Sequence, residues 1–178
     1  VSGALIGASY DEERAAGDRS NNAYTGAVIA GLTLGTAATL ECSSHALWLE
    51  RLAGCAFDVA VFLNLTRDHL DDHGTMEAYF EAKARLFDAC DRGLVNADDP
   101  WCRRLLGRAG MKSYALEAPA DYRAEDLRLS PTGTRFTLRA PEGRFEVESP
   151  LLGRFNAYNL LAALAWGGVL AWREKRGR

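Results

Sequence analysis

One run of the chain, DVAVFLNLTRDHLDDHGTMEAYFEAKARLF at positions 58–87, does most to limit what it can become. A short apolar strand, Val59 to Leu65, ends in a polar loop carrying Arg67, Asp68, His69, Asp71, Asp72 and His73. A helix then starts near Thr75. Helical spacing puts Met76, Phe80, Lys83, Phe87 and Cys90 on its inward stripe. Four of these five are core residues and Lys83 is not. A lysine there either bends its ammonium out to water or meets a special partner. Desolvation lowers the pKa of an ammonium and frees the neutral amine for chemistry. One such chemistry is carbamylation by carbon dioxide, which turns the lysine into a long-armed carboxylate able to hold a hard cation. Histidines and carboxylates at the carboxyl end of a strand, facing a helix start, lie where open α/β sheets place their ligands.

Strands are expected at Ala4 to Ser9, Thr39 to Ser43, Val59 to Leu65, Gly93 to Ala97 and Lys112 to Leu116. Asp11 to Asn22 reads as a loop. Ala23 to Leu34 reads as a helix that Asn22 caps and Gly35 ends. Asp98-Asp99-Pro100 opens another helix, to about Arg108. Strand and helix alternate, which predicts an α/β fold with a mostly parallel sheet flanked by helices. From Tyr122 to Ser149 polar and apolar residues alternate instead. Pro131-Thr132-Gly133 and Pro141-Glu142-Gly143 mark turns, so a small antiparallel β appendage is expected. A closing helix covers about Phe155 to Ala171. The boundaries are then 1–118 for the parallel part, 119–150 for the small sheet and 151–178 for the closing helix and its basic tail.

Composition removes several function classes. A net charge of −3 gives no basic patch, so no nucleic-acid partner is indicated. No segment reads as membrane-spanning. Cys42, Cys55, Cys90 and Cys102 lack CxxC or zinc spacing and read as free thiols in a reducing compartment. None of the three lysines lies in a G-x-x-x-x-G-K-[ST] context. With no initiator Met, the chain is expected to start inside a longer gene product.

Other residues stand out beside Lys83. Glu41 sits at the end of an otherwise apolar strand, where a carboxylate needs an ion pair or a cation. Ser43, Ser44 and His45 form either a strand-end cluster or the cap of the next helix. A Ser-His-Asp triad is disfavoured, because there is no G-x-S-x-G elbow. The run Asp68 to His73 holds two histidines and three acids. H-x-x-x-H in a loop is poor zinc spacing, and with Glu41 as an oxygen ligand magnesium is the better match. Asn156 and Asn159, just after Gly153, either cap the closing helix or pair with a base edge.

Four strings in this order, ECSSHAL with Arg51, then FDVAVFLNLTRDHLDDHGTMEAYFEAKARLF, then NADD, then LLGRFNAYNLLAA, resemble the central domain of the Mur ligases, most closely the MurE type. The resemblance implies an ATP-dependent amide ligase of peptidoglycan synthesis. Such enzymes phosphorylate the carboxylate of a UDP-N-acetylmuramoyl-peptide and let an amino group attack the acyl phosphate. By the same resemblance, Glu41 and His69 hold Mg2+ near the ATP phosphates. Lys83 is the carbamylated lysine that places a second Mg2+, Ser43 and Arg51 contact the UDP-muramoyl substrate, and Asn159, with Asn156 beside it, meets adenine. It implies a cytoplasmic protein.

The chain departs from the family pattern in places. The G-T-N-G-K-T loop, which in the family precedes a strand like Ala4 to Ser9, does not occur in it, so ATP binding by the isolated chain is expected to be weak and turnover absent. Asp18 to Thr25 reads DRSNNAYT where the family has a Thr-Thr-Pro loop, and Leu49 replaces a substrate-binding glutamine. The family's flanking uridine-binding and amino-acid-selecting domains have no match in these residues. Two classes follow: a piece of a working ligase, or a non-catalytic relic that keeps the fold. A metal-dependent hydrolase on the same loop is a third reading, which lacks a residue to activate a metal-bound water.

Overall fold

A computed structural model of the protein describes residues 4–9, 39–52, 55–66 and 73–176. Within these, β1 is Ala4–Ser9, β2 Thr39–Glu41, α1 Ser44–Trp48, β3 Ala56–Phe62, α2 Met76–Ala84, β4 Gly93–Asn96, β5 Met111–Ala115, β6 Tyr122–Ser130, β7 Gly133–Ala140, β8 Gly143–Ser149 and α3 Gly153–Arg176. The expected helix at 23–34, the loop at 11–22 and His69 lie outside the described residues. The chain divides into two units: residues 1–60 with 66–93, and residues 61–65 with 94–178.

In the first unit, β1 and β2 pair antiparallel, with Leu5 opposite Glu41 and Ile6 opposite Leu40. An antiparallel pair of this kind is compatible with the mostly parallel sheet expected from the alternation of strands and helices. α1 packs on α2. Thr75 caps α2 by accepting the Ala78 N–H at 3.1 Å. Beyond Ala84 the helix tightens into a 3₁₀ turn, Arg85–Asp88. Tyr79, Phe80, Lys83, Leu86, Phe87 and Cys90 are buried, while Met76 is half-buried. The inward stripe therefore runs as expected from Phe80 onward, with Tyr79 added to it.

In the second unit, β4 to β8 lie in chain order. Asn96 and Asp99 organise the end of β3. Asn96 donates to the Leu63 carbonyl at 2.9 Å and Asp99 accepts the Leu65 N–H at 3.0 Å. Asp99 also accepts from Trp101 and Cys102 N–H, at 2.9 and 3.0 Å. It thus caps the segment in which a helix to Arg108 was expected. That helix is a correction: what forms is a single 3₁₀ turn, Cys102–Leu105, ending before Gly107 and before Gly110 at φ +77°. The three-residue closures Leu106 N–H to Arg103 and Arg108 N–H to Leu105 keep it tight.

β6, β7 and β8 form an antiparallel meander, as the alternation predicts. It is not a detached sheet, because β6 joins β5 in parallel through Tyr114–Tyr122 and Ala115–Arg123. Both expected turns are present. Gly133 is required at the first: its φ is +158°, and a Cβ there would lie 2.4 Å from the Ser149 carbonyl oxygen. α3 packs on β5, β6 and β7. Its buried Ala157, Leu161 and Ala165 recur every four residues, and small alanines let the helix approach the strands closely.

Candidate functional site

Lys83 sits two turns into α2 and is only 2% exposed. Its ammonium does not bend out to water. Nζ donates to the Cys42 carbonyl at 3.1 Å and lies 5.9 Å from the centre of the Tyr79 ring. Cys42 stands between Glu41, the last residue of β2, and Ser43, which precedes α1. The lysine thereby contacts the backbone at the strand end that carries Glu41.

Ser43 is exposed, and its Oγ accepts the Ala46 N–H at 3.1 Å, so it caps α1. Ser44 is buried. Its Oγ lies 2.8 Å from His73 Nε2, a contact that joins the start of α1 to the approach of α2. The His73 imidazole stacks on Tyr79, with ring centres 5.1 Å apart and planes at 17°, and meets Trp48 edge-on at 6.3 Å. Trp48 and Leu49 are both exposed. Arg51 is exposed at the end of this segment. Among the described residues no group of three His, Cys, Asp or Glu side chains converges as a ready-made metal site.

His73, Ser44 and Tyr79 form a cluster that sequence reasoning passed over. His73 had been weighed only as part of the Asp68–His73 run. The signal that could have found the cluster is the i, i+4 pair Tyr79 and Lys83 on one helix face.

In the second unit, Asn156 and Asn159 lie on the first turns of α3, which Gly153 enters at φ +84°. Asn156 Nδ2 donates to the Leu152 carbonyl at 2.9 Å, and Asn159 Nδ2 approaches Asn156 Oδ1 at 3.5 Å. Asn156 thus spends one amide N–H on the backbone four residues back, while its carbonyl oxygen faces Asn159. The carbonyl oxygen and second N–H of Asn159 are the groups that would meet a base edge.

Burial favours the protonated form of three of the four thiols. All four cysteines are free. Burial pushes the Cys90 thiol up to about 12, with the charges of Asp91 and Asp58 adding to it. Burial likewise raises Cys102 and Cys55. No helix of the described residues is long and apolar enough to cross a membrane.

Comparison with known proteins gives a consistent result. The Mur ligase middle domain model matches residues 27–167. A UDP-N-acetylmuramoyl-L-alanyl-D-glutamate–2,6-diaminopimelate ligase of Synechococcus elongatus is 49% identical over 140 residues, covering 75% of this chain and 28% of that protein. The ligase of the same name from Geobacter metallireducens is 49% identical over 142 residues, covering 74% and 28%. A solved structure of a ligase of that name is 42% identical, with a TM-score of 0.66, covering 73% of this chain and 28% of the other. MurF from Thermotoga maritima, solved in complex with ADP, is 25% identical with a TM-score of 0.57, covering 69% and 29%. The chain thus spans a little over a quarter of the length of the curated relatives it matches.

Proposed function

Because this chain belongs to the Mur ligase family, through its middle domain, we propose that it is the ATP-binding part of a MurE-type ligase. The reaction joins an amino acid to a UDP-N-acetylmuramoyl-dipeptide through an acyl phosphate. The relatives' names make 2,6-diaminopimelate the first amino acid to test. The observation that carries this reading is the buried Lys83, whose Nζ reaches the backbone between Glu41 and Ser43.

The chemistry of that position suits the family's use of it. A carbamate nitrogen keeps one N–H, so the bond to the Cys42 carbonyl survives carbamylation and turns the new carboxylate away from that carbonyl. Glu41 and a carbamylated Lys83 offer oxygen donors, with His69 as an imidazole donor, a set suited to magnesium. When bound, magnesium neutralises charge on the transferring phosphoryl group. Asn159 is assigned to the adenine edge, with Asn156 holding its amide. Ser43 and Arg51, both exposed, are assigned to the UDP-muramoyl substrate. The domain boundaries expected near 118 and 150 are kept as the working division of the chain.

The test is phosphate release by the full gene product. ATP, magnesium, UDP-N-acetylmuramoyl-dipeptide and 2,6-diaminopimelate are supplied together, and each is then omitted in turn. Release that requires all of them supports the ligase. No release, with no ATP binding, overturns it in favour of a non-catalytic relative.

A further inference from the structure

Asp98, just past β4, is a carboxylate that the proposed reaction does not use. Its Oδ2 accepts the N–H groups of Leu116 at 2.7 Å and Glu117 at 3.1 Å, and the Tyr158 hydroxyl at 2.9 Å. Its Oδ1 accepts the Ala118 N–H at 2.7 Å. One side chain thus ties together three parts of the second unit: the end of β4, the chain leaving β5, and the first turns of α3. Arg154 adds a second tie between the last two. Its guanidinium pairs with Glu117 and lies 5.8 Å from the centre of the Tyr158 ring.

Tyr158 immediately precedes Asn159, and a helical backbone is stiff over one residue. Fixing the Tyr158 hydroxyl therefore fixes the direction in which Asn159 leaves α3. A carboxylate suits the role, because it is acceptor-only and all four of its partners are donors. An asparagine amide would turn an NH2 group toward some of the same donors.

Resting on the reading of Asn159 as the adenine contact, we propose that Asp98 and Tyr158 are positioning residues for the nucleotide. They hold α3 and the backbone of 116–118 in the register that presents Asn159 to the base. The electrostatics agree with this geometry. Burial alone would raise the Asp98 carboxyl, but the three N–H groups and the Tyr158 hydroxyl outweigh it and hold it below its ordinary value. The Tyr158 phenol is pushed up to about 12 by burial and by the neighbouring carboxylate, so it remains a donor.

The experiment uses the full gene product with Tyr158→Phe, which deletes one oxygen and keeps the ring beside Arg154. The KM for ATP is expected to rise about fivefold, while kcat and the KM for the UDP-linked substrate stay within about twofold. Asp98→Asn is expected to raise the KM for ATP by about tenfold or more, with the same split. An unchanged KM for ATP in both variants of an active enzyme overturns the positioning role and leaves the ligase reading intact. So does a parallel rise of both KM values with a fall in melting temperature, since that marks a purely structural tie. A wild-type protein that neither binds ATP nor releases phosphate removes the ligase reading, and this inference with it.

Discussion

Lys83 in the first unit and Asp98 in the second are both charged side chains turned inward, but the protein treats them differently. Asp98 is only half-buried and is met by four donors that all require an acceptor. Lys83 is more deeply buried, and it reaches a neutral carbonyl and the face of a tyrosine. The Asp98 network depends on the charge. The Lys83 contact does not: an ammonium, a neutral amine and a carbamate nitrogen each keep an N–H for Cys42. A satisfied charge of the first kind holds backbone and helix in a fixed register. A position of the second kind tolerates a change of chemical state at the atom that matters, which is what a reactive lysine needs.

The sharpest way to break this contrast is Lys83→Met. Lys83→Met removes a buried charge together with the donor to the Cys42 carbonyl, a loss of about 1–3 kcal/mol. The fold is expected to survive that loss, while ATP-dependent phosphate release falls by about a thousandfold. Thermal melting and a phosphate assay on the same preparation decide it. A variant that keeps its activity removes Lys83 from the chemistry. One that unfolds makes the lysine a structural group, and the contrast disappears.

Asp98→Ala should lose stability as well as raise the KM for ATP. Three backbone N–H groups lose their acceptor, a cost of about 2–4 kcal/mol that urea unfolding would register. Acid titration sharpens the point. The Asp98 carboxyl lies below its ordinary value, and so does that of Asp121. Burial would raise Asp121, but Lys112 and the N–H and hydroxyl of Ser113 lower it. A depressed carboxyl contributes stability in full above the unfolded-state pKa and loses it as pH falls through the folded-state one. Wild-type stability should therefore drop below about pH 4, and the Asp98→Ala curve should be flatter there. Equal slopes in the two proteins would show that Asp98 carries no charge-dependent stability.

The difference between the two regions also explains what the sequence could reveal. Lys83 was legible because its environment is local: α2 and the 3₁₀ turn that continues it supply Tyr79, Phe80 and Phe87, and helical spacing exposes an out-of-place charge. Tyr79 escaped because a phenol is usually half-wet, and the ring that covers it, His73, had been assigned to a metal-like run of loop residues. Asp98 was misread for the opposite reason. Its partners lie 18 to 60 residues away, so Asp98-Asp99 looked like an ordinary helix start. Asp99 alone does that work, and for a 3₁₀ turn only. The antiparallel meander was legible from alternation and turns, but its parallel seam with β5 was not. A seam is a long-range pairing, and Tyr122 and Arg123 carry no local mark of it.

The smallest expected effect separates the cap of α2 from its cargo. Thr75 closes the first turn, and removing its hydroxyl in Thr75→Ala should cost about 1 kcal/mol. Lys83 lies eight residues further on, about 12 Å along the axis, whereas fraying stays within the first turn. Hydrogen exchange should therefore quicken at the Ala78 amide, which donates to Thr75, and not at the Lys83 amide. Phosphate release should change by less than about threefold. If exchange quickens along the whole helix and release falls with it, α2 is poised cooperatively on its cap. The Lys83 position would then depend on His73 and Ser44 at the helix entry as much as on the core beneath it, and local burial alone would not account for where its amine is held.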